Sequence, residues 1–304
     1  MLLPIPVLSR LIVTGRDRVK YLHNFCTNNI KDLLSLNACE AFFCDVKARV
    51  IAHGYVLAFD DCHEIWMLDG DEAGILKHLN RYVITEDVTI RSATESSTAV
   101  AAIGTTSVQM LLKDAAEARD DLQQPLRCAR LQHGTADRDE STALYVVWAD
   151  TPMLWLATTT DAGDVSAAPD VISAEQAFEQ LRIRERFPII NQDLSIDNMA
   201  PEAERNSVAI SYVKGCYIGQ EPIARVDAMG HVNRTLRCVE STSSAVQLLQ
   251  ANILTPDGTI AGVVTSATPI EDGSIGLALL RTNTIQIPLH CTIDGMNVTV
   301  KVLP

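Results

Sequence analysis

Three Asp-Gly pairs near the C-terminus restrict the fold more than any other feature of this sequence. Asp257-Gly258, Asp272-Gly273 and Asp294-Gly295 separate the short apolar runs GTIAGVVTSA, GSIGLALL, TIQIPL and NVTVKV. Asp-Gly favours tight turns between antiparallel strands, because both positions adopt a positive φ at low cost. We therefore predict that residues 235–304 form a small all-β unit, a barrel, interrupted by one weak helix at AVQLLQ.

The preceding residues, 1–230, alternate between strand and helix patterns. Two apolar runs, Ala41–Val46 and Val50–Phe59, predict strands joined at the charged turn Lys47-Ala48-Arg49. Apolar residues at helical spacing occur in segments such as DRVKYLHNF and DEAGILKHLNRYV. A chain of 304 residues exceeds the usual size of a single hydrophobic core. We therefore expect an α+β region followed by a separate β unit.

The charge balance excludes some classes of partner. Lys and Arg number 25 against 38 Asp and Glu, which gives a net charge of −13. Such a field repels polyanions, so we expect no strong direct nucleic-acid binding and no attraction to an anionic membrane. No apolar run approaches the ~20 residues that span a bilayer. The start, MLLPIPVLSR, lacks the basic region of a secretory signal, and we expect a cytoplasmic location.

The eight cysteines are scattered along the chain, and no two form a C-x-x-C pair. A disulfide framework is normally denser and a structural zinc site needs clustered ligand pairs, so reduced thiols and no metal site are predicted. A stably bound iron–sulfur cluster would require ligands from a partner chain or a dimer.

The segment VKGCYIGQEPIARVDAMGHVNRTLR, residues 213–237, is the candidate functional segment. It lacks the order of a phosphate-binding P-loop, and the chain contains no Rossmann G-x-G and no nucleophile elbow. Lys214 could lower the pKa of the Cys216 thiol and make it a nucleophilic or redox-active group, or Cys216 could be a buried structural residue. Both interpretations stay open. The bases clustered here favour an anionic small molecule over a long nucleic acid.

Glu221 and Arg225 are spaced for a salt bridge on a helix, but Pro222 predicts that no helix runs through both. Without a helix, the carboxylate and the guanidinium could instead contact a ligand that carries amide donors and carboxylates. Residue chemistry alone does not separate these two interpretations.

KGCYIGQE, residues 214–221, resembles the signature of the YgfZ family of folate-binding proteins, which are relatives of the glycine-cleavage T protein. The motif is long and its order is unusual. Further matches in the same order as in the family are TNNI at 27–30, DVKAR at 45–49, LRIRERFPI at 181–189, APEAE at 200–204, ARVDAMGHVNRTL at 224–236 and GVVTSA at 262–267.

The resemblance implies an α+β cloverleaf of three units, with two ferredoxin-like units and a C-terminal β-barrel. Residues 1–230 would hold the two interleaved units, approximately 1–50 with 150–230, and 51–149, and residues 235–304 the barrel. Tetrahydrofolate or a one-carbon derivative would occupy a central hole. The residues implied to bind it are Asn28, Asp45, Lys47, Arg49, Lys214, Gly215, Tyr217, Gly219, Gln220, Glu221 and Arg225, with Cys216 as a redox or nucleophilic thiol.

The implied function is support of iron–sulfur cluster assembly or repair, with an indirect effect on tRNA modification and with iron–sulfur enzymes or assembly proteins as partners. The alternatives are a folate-dependent aminomethyltransferase and a non-enzymatic scaffold. Two departures bear on them: Ala48 replaces a family glycine, and Ala52 and His53 stand near the position of an acidic pair in the T protein. Aminomethyltransferase activity is therefore not expected, whereas another folate-dependent one-carbon transfer stays open.

Overall fold

A computed structural model describes residues 2–5, 8–68, 71–94, 98–112, 121–132, 140–158, 171–230 and 232–304. The chain divides into two compact units. The first unit comprises Met1–Cys44, Ile51–Glu175 and Ser207–Ile218, and the second comprises Asp45–Val50, Gln176–Asn206 and Gly219–Pro304.

One five-stranded sheet in the first unit has the strand order β3-β4-β5-β2-β6. Its strands are β2 (Leu8–Thr14), β3 (Ala38–Cys44), β4 (Val50–Ala58), β5 (His63–Leu68) and β6 (Thr89–Ser92). Alternate residues of a strand point to opposite faces, and Leu11, Val13, Ile65 and Met67 lie on the face that forms a hydrophobic core. Helices α1 (Arg18–Phe25) and α2 (Glu72–Asn80) contribute their buried residues to the same core.

A second five-stranded sheet of the first unit has the order β1-β7-β10-β9-β8. Its strands are β1 (Leu2–Pro4), β7 (Thr98–Ile103), β8 (Arg127–Gln132), β9 (Glu140–Trp148) and β10 (Thr151–Thr158), and α3 (Thr105–Leu112) contacts β7 and β10. Polar contacts join the two sheets. The Arg10 guanidinium donates to Glu64 at 2.7 Å and to Thr142 at 2.9 Å, and the Trp148 indole donates to the Tyr55 hydroxyl at 2.9 Å.

Residues 50 and 150 lie in or next to paired strands. Residue 50 begins β4, which lies beside β3 in one sheet, and Ala149 and Asp150 form the turn that joins β9 to β10. Each sheet is therefore built mainly from one continuous stretch of sequence. The division of residues 1–230 into two folded units of the family type stays a prediction.

The second unit contains helical segments and a closed barrel. Its helices are the C-terminal part of α4 (Val171–Glu185), a 3₁₀ helix at Ala200–Ala203, the start of α5 (Asn206–Ala209), α6 (Gln220–Met229) and α7 (Ala245–Leu248). The barrel has the order β11-β14-β13-β12-β15-β16. Its strands are β11 (Arg234–Ser241), β12 (Asn252–Leu254), β13 (Ile260–Ile270), β14 (Gly273–Arg281), β15 (Leu289–Ile293) and β16 (Met296–Val302).

The barrel confirms the β unit predicted for residues 235–304, with two corrections. Both positions have a positive φ only at Asp294-Gly295; in the other two Asp-Gly pairs the glycine alone does so. The run TIQIPL is not a strand, because Thr282–Thr284 forms a 3₁₀ turn and β15 begins only after Pro288, which has no N–H to donate to a sheet. The weak helix at AVQLLQ is present as the single turn α7.

Candidate functional site

The signature KGCYIGQE is divided between the two units. Lys214–Ile218 belongs to the first unit and Gly219–Glu221 to the second.

Lys214 anchors its part of the signature from inside the first unit. Only 7% of the residue is exposed. Its ammonium group donates to the backbone carbonyls of His23, Cys26 and Asn28, with distances of 2.9 Å to Cys26 and 2.6 Å to Asn28. It also lies 4.8 Å from the centre of the Tyr217 ring. Burial lowers the pKa of Lys214, but three carbonyl acceptors need three N–H donors, which only the charged amine supplies.

This placement gives Lys214 a structural role. The three protons of Lys214 are used by carbonyl oxygens, so the ammonium group holds the backbone of residues 23–28 in place. The sequence could not reveal this role, because the acceptors are backbone atoms of the distant α1 end. The activation of Cys216 by Lys214 stays a prediction.

Cys216 itself is exposed. Of the other seven cysteines, six are buried and Cys39 is partly buried. A Cβ built on the neighbouring Gly215 would lie 3.8 Å from His23 Nε2, so an imidazole lies against the backbone next to the thiol. Burial and the charge of Lys214 lower the pKa of His23, which favours the neutral ring. Nothing in the local sequence around His23 points to Cys216, so this neighbour could not be predicted from the sequence.

Asn28 and Thr27 connect the residues before α6 to strand β3. The Asn28 amide donates to the backbone oxygens of Glu40 at 2.8 Å and Val208 at 2.9 Å. The Thr27 hydroxyl donates to the Ala209 carbonyl at 2.6 Å. Asn28 was a candidate ligand-binding residue, but its amide protons are used within the protein. The TNNI segment thus positions the region around the signature.

In the second unit, the Asp45–Arg49 turn is closed by the Asp45 side chain. Asp45 Oδ1 accepts from the backbone N–H groups of Lys47 at 2.8 Å and Arg49 at 2.9 Å. Ala48 has a φ of +62° and is fully buried. A left-handed conformation suits glycine best, which explains the glycine of the family pattern, and here an alanine adopts it at an energetic cost.

Gly219 packs against this turn. It has a φ of +84°, and a Cβ placed on it would lie 2.7 Å from the Asp45 carbonyl oxygen and 3.1 Å from Ala48 Cα. Carbon atoms do not approach backbone atoms so closely, so only glycine fits. The contact joins two motifs that are far apart in sequence. Of the predicted site residues in the second unit, Asp45 and Gly219 are thereby brought together.

Glu221 and Arg225 lie on one helix, contrary to the prediction from Pro222. Gly219 precedes α6, so Pro222 falls in the first turn, where a missing N–H costs nothing because no helical acceptor exists for it. Glu221 and Arg225 are exposed, and within the described part of the chain neither side chain has a hydrogen-bond or ion-pair partner. Gln220, the first residue of α6, is partly exposed.

The remaining predicted residues of the turn face different surroundings. Lys47 is exposed, whereas the Arg49 guanidinium lies 3.7 Å from the Asp197 carboxylate. Glu202, from the APEAE block, is buried and accepts from the Asn198 amide at 2.8 Å. This block supports the turn through the backbone, since Ala200 N–H donates to the Ala48 carbonyl at 3.3 Å.

His53 has a carboxylate partner that the sequence analysis missed. His53 Nε2 lies 2.8 Å from Glu40 Oε1, and the two residues are 2% and 3% exposed. The Phe42 ring lies 4.4 Å from the imidazole, centre to centre. A single glutamate within the apolar run ACEAFFC was the available signal. The pair is enclosed within the first unit.

Among the described residues, no three His, Cys, Asp or Glu side chains are grouped so as to hold a metal ion. None of the helices described is both long and apolar enough to cross a membrane.

Comparison with known proteins identifies relatives in sequence. No family model matches the chain. The tRNA-modifying protein YgfZ of Colwellia psychrerythraea is 24% identical over 234 residues, covering 75% of this chain and 68% of that protein. The mitochondrial iron–sulfur cluster assembly factor IBA57 of Mus musculus is 27% identical over 301 residues, covering 91% of this chain and 76% of that protein.

A solved structure agrees with the fold. The glycine cleavage system aminomethyltransferase T from Bartonella henselae superposes with a TM-score of 0.75 at 12% identity, covering 100% of this chain and 84% of that one. At that identity the likeness concerns the fold. In sequence the chain is similar to the YgfZ and IBA57 proteins, and it has the mixed α/β fold of the glycine-cleavage T protein.

Proposed function

We propose that the protein binds a reduced folate, tetrahydrofolate or a one-carbon derivative, and supports the assembly or repair of iron–sulfur enzymes. An effect on tRNA modification follows indirectly, through enzymes that depend on such clusters. The observation that carries the proposal is the contact of Gly219 with the Asp45–Arg49 turn, because it joins the two motifs implied to bind folate.

The side chains available in the second unit suit the polar edges of a folate. The Glu221 carboxylate can accept hydrogen bonds from a pterin ring, and the Arg225 guanidinium can donate to carboxylates. One helical turn separates them, and neither is used by another described residue. The exposed Lys47 adds a positive charge on the turn. A bound folate would supply a carrier for one-carbon groups.

Other predicted residues contribute indirectly in this proposal. Lys214, Asn28 and Asp45 use their polar groups to fix backbone, and Tyr217 is buried beneath the Lys214 ammonium group. Gly219 permits close packing, and Arg49 pairs with Asp197. We propose that they shape the site while Lys47, Glu221 and Arg225 contact the ligand.

The proposed cellular role is supported by the relatives. One is described as a tRNA-modifying protein and another as an iron–sulfur cluster assembly factor. The exposed Cys216 is the candidate group for contact with a client protein or for redox chemistry.

A thermal-shift titration tests ligand binding. A ligand that binds the native state alone stabilises it by RT ln(1 + [L]/Kd), so tetrahydrofolate should raise the melting temperature in proportion to the logarithm of its concentration. No rise at millimolar ligand, in a sample shown to be folded, would favour the competing proposal of a scaffold that has lost the ligand.

Aminomethyltransferase activity is the alternative that we do not favour. The pair of His53 and Glu40 is buried, so it presents no fixed carboxylate to a ligand near the position of the T protein's acidic pair. Release of ammonia from an aminomethyl-loaded carrier protein should not increase when this protein is added. An increase would establish the alternative.

A further inference from the structure

Two arginines lie side by side at one end of the barrel. Arg234 is the first residue of β11, Arg281 is the last residue of β14, and the two are direct partners in the antiparallel register. Side chains at directly opposite positions have Cβ atoms about 4.5–5.5 Å apart, and like charges placed in this way destabilise a sheet. The pairing therefore costs stability unless negative charge compensates both arginines.

The charges of this pair are poorly compensated. Arg234 Nε lies 3.5 Å from Glu202 Oε2, a long ion pair. Arg237, further along the same strand, is 2.5 Å from a Glu204 oxygen. The Arg281 side chain is exposed and has no hydrogen-bond or ion-pair partner among the residues that the structure describes. Neighbouring arginines thus have nearby carboxylates, and Arg281 does not.

The arginine pair borders a groove of about 630 Å³, a volume that accommodates a small molecule. The residues that line it are Val232, Asn233, Arg234, Arg281, Thr282 and Asn283, none of them acidic. Its rim is held by backbone contacts, since Thr282 N–H donates to the Asn233 carbonyl at 3.0 Å and the Thr282 hydroxyl to the Val232 carbonyl at 2.6 Å. The nearest carboxylate that the structure shows is Glu202, beside Arg234, so the lining itself is basic and neutral in a chain with a net charge of −13.

We propose that this groove, formed by residues 232–234 and 281–283, binds a small molecule that carries two neighbouring anionic groups, either carboxylates or phosphates. Each guanidinium group presents a planar fork of donors that matches one such group in a bidentate manner. The carboxamides of Asn233 and Asn283 provide further N–H donors at the rim. The site lies within the second unit and is independent of the folate proposal.

Calorimetric titration at about 0.15 M salt tests the proposal, because nonspecific surface attraction is largely screened under that condition. Pyrophosphate and citrate are the two probes. We expect one of them to bind the wild-type protein, and Arg281→Gln to weaken that binding by about tenfold or more, as expected when a charge-assisted hydrogen-bonding group is lost. Arg91→Gln, which changes an exposed arginine of β6 in the first unit, should leave the affinity unchanged.

A second readout separates binding from folding. Without an anion, Arg281→Gln should not lower the melting temperature, because it removes a like-charge contact between exposed groups. The rise in melting temperature that the binding probe causes in the wild type should disappear in this variant. Binding of pyrophosphate alone would identify phosphate chemistry, and binding of citrate alone would identify carboxylate chemistry.

Three results would overturn the proposal. The first is that neither probe binds the folded wild-type protein at millimolar concentration. The second is that Arg281→Gln binds as tightly as the wild type. The third is that only a single-stranded RNA oligomer binds, which would assign the arginine pair to a different class of ligand.

Discussion

Replacing Gly219 by alanine tests the contact that joins the two motifs. The left-handed conformation of an L-residue costs roughly 1–2 kcal/mol relative to glycine. The new Cβ would also lie 2.7 Å from the Asp45 carbonyl oxygen, and relief of such overpacking typically costs a further ~1–3 kcal/mol. We therefore expect Gly219→Ala to lower the free energy of unfolding by roughly 2–5 kcal/mol.

Gly230 provides a matched control at the other end of the same helix. It also has a positive φ, +73°, but no described atom lies within 4 Å of a Cβ built there. Gly230→Ala should therefore cost only the conformational part, roughly 1–2 kcal/mol. The difference between the two variants, measured by chemical denaturation, isolates the packing of Gly219 on the turn.

Hydrogen exchange gives a local readout of the same contact. The amide protons of Lys47, Ala48 and Arg49 are bonded to Asp45, and displacement of the turn should expose them. Exchange at residues 47–49 should be faster in Gly219→Ala than in the wild type and unchanged in Gly230→Ala. Equal destabilisation by the two variants, with no faster exchange in the turn, would refute the reasoning.

Three further predictions concern other parts of the chain. Iodoacetamide should modify the exposed Cys216 before the other cysteines, and mass-spectrometric mapping of the first adduct to a buried cysteine would contradict this. Burial lowers the pKa of His63 to about 4, so on acidification the unfolded state takes up the proton before the folded state does. Between pH 7 and pH 5 the free energy of unfolding of the wild type should therefore fall by about 2 kcal/mol. This loss should be absent in His63→Leu, as chemical denaturation at both pH values can show. Arg182→Leu should lower the free energy of unfolding by roughly 3–5 kcal/mol, because it leaves the buried Asp193 carboxylate without its ion pair. The control Arg184→Leu, at an exposed position, should lower it by less than ~0.5 kcal/mol. Equal effects of the two substitutions would argue against the buried pair.

The parts of the fold that depend on local chemistry could be predicted from the sequence. Asp-Gly pairs act through their own φ preferences, so the barrel was predictable from short segments. The run TIQIPL was wrongly predicted to be a strand because its apolar residues alternate. A 3₁₀ turn at Thr282–Thr284 and Pro288 prevent a strand there. Pro222 led to the wrong prediction that no helix runs through Glu221 and Arg225. Proline is tolerated in the first turn of a helix, and the sequence does not show that α6 begins at Gln220.

The candidate site was predictable in its motifs and not in its contacts. The role of Lys214 depends on three carbonyl groups that lie far away in sequence, and backbone acceptors leave no mark in a residue pattern. The pairing of His53 with Glu40 likewise depends on two strands coming together in one sheet. Gly219 could be recognised from the sequence as part of a motif. The reason that only glycine fits there is the close approach of the Asp45–Arg49 turn, which only the structure shows.

Calorimetric titration of tetrahydrofolate under anaerobic conditions tests the central claim most directly. The account predicts one-to-one binding to the wild-type protein, weakened by about tenfold or more in the double variant Glu221→Gln, Arg225→Gln. A control double variant of exposed residues, Glu175→Gln with Arg91→Gln, should bind like the wild type. Absence of binding to a folded wild-type sample at millimolar ligand, or equal affinity in the Glu221 and Arg225 variant, would contradict the account.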